Sequence, residues 1–257
     1  MIPKVIPPLT GLAVLVTRPA AQSAALAGRI RELGGEAHVL PAIDIRKRVA
    51  STAGTYELVI FVSVNAVEHG AALIVRSAQT QFAAIGKATA AALRALDLTV
   101  DIVPDHSFTS EALLAHPQLT LPPGARILIV RGSGGRDTLQ QTFLERGFTV
   151  DLLDVYERVL PQIDAAQRDA IESTWANDGI DVVTATSVET LRNLDTLLSE
   201  TGRTLLRNTA LVVPSARVAA AAAEMGLRGN CIVAAGADDL SVSGALAQWH
   251  TRARVSR

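Results

Sequence analysis

The feature of this sequence that most restricts its fold is an internal repeat. A shift of 113 residues places the apolar segment LAVLVTR (12–18) on ARILIVR (125–131). Arg18 then coincides with Arg131 at the end of the repeated segment. A chain that repeats such a segment is expected to fold into two similar halves, each with its own core.

A second shift, of 124 residues, relates ELVIFVSV (57–64) to DVVTATSV (181–188) and places Ser63 on Ser187. The matching pieces keep their order along most of the chain. This order favours duplication of a unit of roughly 110–130 residues over chance similarity between segments rich in Ala, Leu and Val. The length of 257 residues agrees with two domains, since about 150 residues per domain is typical.

Four apolar runs in the repeat have the length and β-branched content of strands that are covered on both faces. They are Leu12–Thr17, Glu57–Val62, Arg126–Val130 and Asp181–Thr184. Each precedes a segment with apolar residues at the three- and four-residue spacing of a helix. These predicted helices are Ala20–Leu33, Ala66–Val75, Asp137–Arg146 and Val188–Leu198, with Gly34 and Gly147 as caps after the first and third. The alternation predicts an α/β fold with parallel sheets.

Composition and charge narrow the classes of function. The 24 Lys and Arg residues are scattered among 25 Asp and Glu, and only 4% of residues are aromatic. Neither a basic stripe nor a set of stacking aromatics is present, so we expect no nucleic-acid partner. No segment reaches the roughly 18 unbroken apolar residues of a membrane span, and the N-terminus lacks a signal-peptide core. We therefore expect a cytoplasmic protein that does not bind membranes.

Metal and thiol chemistry have little support in the sequence. A single cysteine, Cys231, excludes an internal disulfide and a multi-thiolate metal site. It stands in the apolar run CIVAA, which predicts a buried free thiol. The five His residues never fall at the four-residue spacing of a helical metal pair. We expect neither a metal nor a cofactor.

The predicted strand-to-helix turns are the candidate binding sites, since ligands of parallel sheets bind beyond the carboxyl ends of the strands. The turns are Thr17–Pro19, Ser63–Asn65, Arg131–Arg136 and Thr186–Val188. Each combines Ser, Thr, Gly or Pro with a helix start, a composition suited to anion binding by backbone amides. Ordinary helix capping explains any one turn equally well. Four such turns, two of them with Arg, favour binding.

The Gly-rich turn after Arg131 matches neither a Walker A motif nor a dinucleotide fingerprint. Its guanidinium groups, Arg131 and Arg136, suit carboxylates better than a pyrophosphate. Pairing of Arg131 with Asp137 is the alternative. Tyr156, in the segment VYERV that joins the two halves, could donate a hydrogen bond to a leaving oxygen or simply pack as a linker aromatic.

Taken together, the segments resemble the uroporphyrinogen-III synthase family over nearly the whole chain. The resemblance is carried by VLVTRPAAQSAAL, VIFVSVNAV, AAIGKATAAAL, FTSEALL, ILIVRGSGGRDTL, VYER, TATSVETL and LVVPSARVA. Each piece is short, and the order and spacing of the set make it specific.

The resemblance implies a fold of two similar parallel-sheet α/β lobes, joined by a two-strand linker that the chain crosses twice. Residues 1–40 and 161–257 would form lobe 1, residues 46–155 lobe 2, and residues 41–45 and 156–160 the linker strands.

It also implies the activity of a cofactor-free lyase that closes hydroxymethylbilane into uroporphyrinogen III. Ring D is inverted through a spiro intermediate and water is lost. The eight carboxylates of the tetrapyrrole would be held between the lobes by backbone amides, hydroxyl groups and basic side chains. A two-lobed small-anion binding protein or sensor without catalysis is the alternative. The family further implies a monomer that could receive its substrate from the preceding enzyme of the pathway.

The resemblance assigns Tyr156 as the catalytic residue that assists loss of the substrate hydroxyl. The substrate-binding candidates are Arg18, Ser63, Asn65, Gly86, Lys87, Thr89, Ser110, Arg131, Gly132, Thr186, Ser187, Ser215 and Arg217. The sequence departs from the family at Pro214–Arg217, where many members have Gly-x-Thr, so Ser215 and Arg217 do not match the usual motif.

Overall fold

The computed structural model describes residues 6–106, 108–135 and 137–255, with side chains through residue 253. The chain divides into two compact units. Unit 1 combines Met1–Asp44 with Val159–Arg257, and unit 2 is the continuous segment Ile45–Arg158. Unit 1 is therefore discontinuous in sequence.

The chain begins with β1 (Ala13–Val16), α1 (Ala20–Glu32), β2 (Glu36–Val39) and β3 (Asp44–Lys47). It continues with β4 (Leu58–Phe61), α2 (Val64–Gly70), a short 3-10 helix (Ala71–Leu73), β5 (Gln81–Ala84), α3 (Lys87–Arg94), α4 (Ser110–Leu114), β6 (Arg126–Gly132), α5 (Thr138–Glu145) and β7 (Thr149–Val159). The remaining elements are α6 (Ala165–Ala176), β8 (Val182–Thr184), α7 (Val188–Leu197), α8 (Glu200–Asn208), β9 (Ala210–Val213), α9 (Ala216–Glu224), β10 (Cys231–Val233) and α10 (Asp239–Val255).

The two sheets share the order of four of their five strands, as the repeat predicts. The sheet of unit 1 runs β10-β9-β8-β1-β2, and that of unit 2 runs β3-β7-β6-β4-β5. The 113-residue shift places β6 on β1, and the 124-residue shift places β4 on β8. The orders β9-β8-β1-β2 and β5-β4-β6-β7 are thus equivalent, and every pairing within these two sets is parallel. The predicted parallel α/β fold is confirmed.

The central strands are covered on both faces, which explains their continuous apolar runs. In β4 all four residues are buried. Val59 and Phe61 pack on one face of the unit 2 sheet, whereas Leu58 and Ile60 pack on the other. Unit 1 repeats this arrangement with Val14 and Val16 opposite Leu15.

Most predicted helices are found, with one corrected at both ends. Gly34 and Gly147 follow α1 and α5 with φ of +85° and +83°, the left-handed conformation that glycine adopts without steric cost. The predicted helix Ala66–Val75 is wrong at its ends. The Ser63 side chain accepts a hydrogen bond from Ala66 N and starts α2 two residues earlier, and α2 ends at Gly70 before the 3-10 turn.

The expected burial of Cys231 is also wrong. Cys231 is exposed because β10 is an edge strand, in which Cys231 and Val233 face solvent on either side of a partly buried Ile232. A short apolar run does not distinguish an edge strand from a central one.

We expect Gly28→Ala to stabilise the protein by about 0.5–1 kcal/mol, since glycine in a helix interior costs that much relative to alanine. Gly28 lies inside α1, and a Cβ built there has no atom within 4 Å. Urea unfolding should show a higher midpoint with an unchanged m-value. A lower midpoint would mean that the helix surface at Gly28 does not have this space.

Candidate active site

The predicted site residues cluster at one edge of each sheet, the edge at which its parallel strands end. In unit 2, β4 leads into Ser63 and Asn65, β5 into the segment 86–89, and β6 ends at Gly132. In unit 1, Arg18 follows β1, the pair 186–187 follows β8, and Ser215 follows β9. This edge is where α/β proteins place their ligands.

A β-bulge determines where the side chain of Tyr156 points. Along β7, Leu152 packs on one face of the sheet and Leu153 and Val155 on the other. Strict alternation would turn Tyr156 to the Leu152 face. The register shifts at this point, because Arg131 faces Asp154 but Gly132 faces Tyr156. The extra residue brings Tyr156 into the same cluster as Val155, the re-aiming that bulges produce in strands.

The phenol of Tyr156 lies between the end of β6 and the start of α2. Its hydroxyl lies 3.1 Å from Ser63 Oγ, and the side chain is buried, with 4% of the residue exposed. A Cβ built on Gly132 would come within 2.5 Å of Tyr156 Cζ, so a glycine is required to make room for the ring. The His69 ring is 6.2 Å away between centroids.

The start of α3 brings together predicted and unpredicted residues. Gly86 is the N-cap and provides no side chain to cap the helix, Lys87 is exposed in the first turn, and Thr89 is buried. Phe108 packs over the start of α3. A Cβ built on Gly86 would lie 3.0 Å from Phe108 Cβ, and Lys87 Nζ lies 5.7 Å from the centroid of the Phe108 ring. Phe108 is the first residue of the segment FTSEALL, but Ser110 is the residue of that segment predicted to bind substrate.

Ser110 is the first residue of α4, half-buried and next to the capping residue. The cap is Thr109, whose hydroxyl accepts a hydrogen bond from Ala112 N at 3.2 Å. Asn65 is the second residue of α2 and is also half-buried. Both side chains therefore lie in the first turn of a helix, which the predicted turn Ser63–Asn65 anticipated for Asn65.

Arg131 is held by two carboxylates of its own unit. Its Nε donates to Asp154 at 3.0 Å and its Nη1 donates to Asp137 at 2.9 Å, and 12% of the side chain is exposed. Burial acts to lower the pKa of Arg131, but the hydrogen bonds to Asp137 and Asp154 outweigh it and raise the pKa. The alternative of pairing with Asp137 is thus realised, and contact with a substrate stays a prediction. Arg136 lies outside the described residues.

Arg18, the repeat counterpart of Arg131, serves a contact inside unit 1. Its side chain is 9% exposed and forms an ion pair with Asp239, the first residue of α10, and a hydrogen bond to the Ala237 carbonyl. This pair ties the end of β1 to the start of α10. The expectation of substrate contact at Arg18 has no support in this arrangement.

The remaining unit 1 candidates form a hydroxyl cluster and a helix start. Ser187 Oγ lies 2.9 Å from Thr190 Oγ1 and accepts from Thr190 N at 3.0 Å, while Thr186 Oγ1 lies 3.4 Å from Thr190 Oγ1. Ser215 precedes α9 without capping it through its side chain, and Arg217 is exposed in the first turn.

Neither a metal-binding cluster nor a membrane-spanning helix is present in the described part of the chain. Within these ranges no group of three or more His, Cys, Asp and Glu side chains could hold a metal ion. None of the helices in the same ranges combines the length and apolar character needed to cross a membrane.

The fold and the strand-end residues define a duplicated α/β protein, in which each unit presents hydroxyl, amide and basic groups at the carboxyl edge of a parallel sheet. The family model described as uroporphyrinogen-III synthase HemD matches residues 24–238. The chain belongs to this family.

Individual relatives agree with this assignment. The chain is 33% identical over 231 residues to uroporphyrinogen-III synthase of Salmonella typhimurium, covering 84% of this chain and 92% of that protein. It is 30% identical over 230 residues to the enzyme of the same name from Escherichia coli, with the same coverage of 84% and 92%.

Solved structures share the fold at lower sequence identity. The crystal structure of uroporphyrinogen-III synthetase from Helicobacter pylori matches with a TM-score of 0.60 at 14% identity, over 94% of this chain and 99% of that one. A mutant uroporphyrinogen III synthase from Thermus thermophilus matches with a TM-score of 0.56 at 18% identity, over 96% of this chain and all of that one.

Proposed function

We propose that this protein is a uroporphyrinogen-III synthase, a lyase of tetrapyrrole and heme biosynthesis that closes hydroxymethylbilane into uroporphyrinogen III. The observation that carries the proposal is the 33% identity to the Salmonella typhimurium enzyme over 84% of the chain. Tyr156 supports the proposal as well. It is buried, and the β-bulge in β7 orients it at the edge of the unit 2 sheet where the parallel strands end.

Tyr156 is the group we assign to departure of the substrate hydroxyl. The C–O bond breaks as the phenol gives its proton to the leaving oxygen, so that water departs and an azafulvenium remains. The substituted carbon of ring D attacks to form the spiro intermediate, which fragments and recloses with the ring reversed. The carbon that closes the macrocycle loses a proton, which returns to the phenolate. Because pyrrole nitrogens supply the electrons, the protein mainly holds the chain in a reactive arrangement.

The substrate-binding set remains a proposal that rests on its location. The helix starts at Ser63, Gly86 and Ser187 offer backbone N–H groups and a partial positive charge. Carboxylates of a tetrapyrrole are suitable partners for such groups. A net charge of −1 does not oppose this binding, since the capture groups are local.

The direct test supplies enzymatically made hydroxymethylbilane and separates the type I and type III products. We expect type III. Formation of type I alone, the spontaneous product, would refute the proposal. Tight binding of the bilane without faster turnover would instead indicate the non-catalytic binding protein.

We expect Arg131→Ala to raise KM about tenfold at low salt, since a hydrogen bond to a charged group is worth about 1.5–3 kcal/mol. The rise should be smaller at high salt, because screening weakens the attraction between the guanidinium and a carboxylate. Steady-state kinetics at two salt concentrations measures both effects.

Arg126→Ala is the matched control for this prediction. Arg126 stands at the opposite end of the same strand and pairs with Asp151 at 2.9 Å. Its replacement also removes an ion-paired arginine of β6, but one that lies far from the edge where the strands end, so KM should not change. Equal KM values for the two variants would remove Arg131 from the binding set.

Three further properties stay proposals. We propose that the protein acts as a monomer, which sedimentation or size-exclusion measurements can test, and that it needs no cofactor. We also propose that units 1 and 2 are the two lobes of the family, with residues 41–45 and 156–160 as the linkers. Transfer of substrate from the preceding enzyme and a cytoplasmic location stay predictions from the sequence.

A further inference from the structure

Ser63 contacts both the start of α2 and the phenol of Tyr156. Its Oγ accepts a hydrogen bond from Ala66 N at 3.0 Å and lies 3.1 Å from the Tyr156 hydroxyl, where either oxygen can donate. A serine hydroxyl has one hydrogen and two acceptor positions. Ala66 N–H occupies one acceptor position, which leaves Ser63 its hydrogen and one further acceptor position for the contact with Tyr156.

We propose that Ser63 donates its hydrogen to the Tyr156 oxygen and is thereby a positioning residue for the catalytic phenol, an inference that rests on the proposed function. In this arrangement the Tyr156 hydrogen is free to point at the leaving hydroxyl of the substrate. In the opposite arrangement Tyr156 would direct its only hydrogen to Ser63 and have none for the substrate.

The same contact serves the step after proton transfer. Once Tyr156 has given its proton to the leaving oxygen, the phenolate retains the hydrogen bond from Ser63. Hydrogen bonds to an ionised acceptor are about twice as strong as neutral ones, so this contact strengthens as the C–O bond breaks. Ser63 keeps its own proton throughout, and the phenolate is reprotonated by the proton lost from the closing carbon.

Comparison of the two units shows that capping alone does not require this contact. Ser187, the repeat counterpart of Ser63, caps α7 in the same way, but its hydroxyl meets Thr190 and not a phenol. The shift of 113 residues places Tyr156 on Ile43, which has no hydroxyl. The pair of hydroxyls occurs in unit 2, where the bulge in β7 turns Tyr156 toward α2.

The test measures kcat and KM for Ser63→Ala, Ser63→Gly and Ser63→Thr. We expect Ser63→Ala to lower kcat about tenfold, the effect of removing one hydrogen bond to a charged group, with KM changed less than about twofold. Ser63→Thr keeps the hydroxyl and should restore most of kcat. Ser63→Gly removes the hydroxyl but remains a good N-cap, so it should match Ser63→Ala even if the alanine variant folds poorly.

A double-mutant cycle tells positioning from a structural role. In the Tyr156→Phe background Ser63→Ala should lower kcat no further, because Ser63 acts through the phenol. A structural role would slow both backgrounds by the same factor. Asp164→Ala is the control for loss of a helix cap. The Asp164 side chain accepts a hydrogen bond from Gln167 N at 2.6 Å and caps α6, and its removal should leave kcat unchanged.

The outcomes separate this inference from the proposed function. If the wild-type protein yields only the type I isomer, the proposed function is wrong. If it yields type III but Ser63→Ala and Ser63→Gly keep kcat within twofold of wild type, or if the loss is equal in both backgrounds, the role of Ser63 is overturned. Failure of Ser63→Thr to restore kcat would overturn it as well.

Discussion

Replacing Tyr156 by phenylalanine should lower kcat by about 10²-fold or more, because a positioned general acid contributes 10²–10⁴ in rate. The ring keeps its place in the core of unit 2, and the hydrogen bond to Ser63 that is lost contributes about 0.5–1.5 kcal/mol to stability. KM should change little. Single-turnover kinetics with separation of the isomers measures the rate, and urea unfolding measures the stability.

Tyr56→Phe is the matched control for this variant. Tyr56 is the other tyrosine of the chain, lies in the same unit, is equally buried, and has its hydroxyl 2.9 Å from Thr52 Oγ1. Its replacement should cost similar stability and leave kcat unchanged. If both variants lose activity equally, or neither does, Tyr156 is not the acid.

Gly132→Ala should lower kcat about as much as loss of the Tyr156 hydroxyl. The new Cβ would lie 2.5 Å from Tyr156 Cζ and 2.9 Å from its hydroxyl oxygen, so the ring has to move. A misplaced catalytic group can cost about 10²-fold in rate, and overpacking costs about 1–3 kcal/mol of stability. Kinetics and unfolding of the same preparation measure the two effects.

Two comparisons make this prediction specific. Gly202→Ala creates a similar close contact in unit 1, 2.4 Å from Glu172 Oε1, and should lose stability without loss of kcat. In the Tyr156→Phe background Gly132→Ala should lower kcat little further, since the hydroxyl that it displaces is already gone. A full additional loss of kcat in that background would show that Gly132 acts independently of Tyr156.

The repeat made the fold predictable. Two segment matches placed β6 on β1 and β4 on β8, and the equivalence of the two sheets follows from them. The positions of Ser63 and Ser187 could also be predicted from the sequence. Both follow parallel strands that lead into helices, and the carboxyl ends of such strands meet at one edge of the sheet.

Other features depend on contacts that local sequence does not encode. Arg18 and Arg131 look alike in the repeat, but Arg18 pairs with Asp239, 221 residues away, whereas Arg131 pairs with Asp137 and Asp154. Periodicity predicts that Tyr156 and Val155 face opposite sides, and only the bulge in β7 reverses this. The start of α2 lies two residues before the one that apolar spacing predicts, because Ser63 caps the helix there.

The discontinuity of unit 1 has a consequence for synthesis on the ribosome. All of Ile45–Arg158 has been made before β8, β9 and β10 exist, so unit 2 can complete its sheet while β1 is paired with β2 alone and still lacks β8. Ala13 donates its N–H to Asp181, 168 residues later, and closing so long a loop slows folding. A folded unit 2 shortens that loop. We therefore expect a folded unit 2 to speed the folding of unit 1. Mutations that unfold Ile45–Arg158 should slow the folding of the whole chain, whereas mutations in β9 or β10 should leave unit 2 folded.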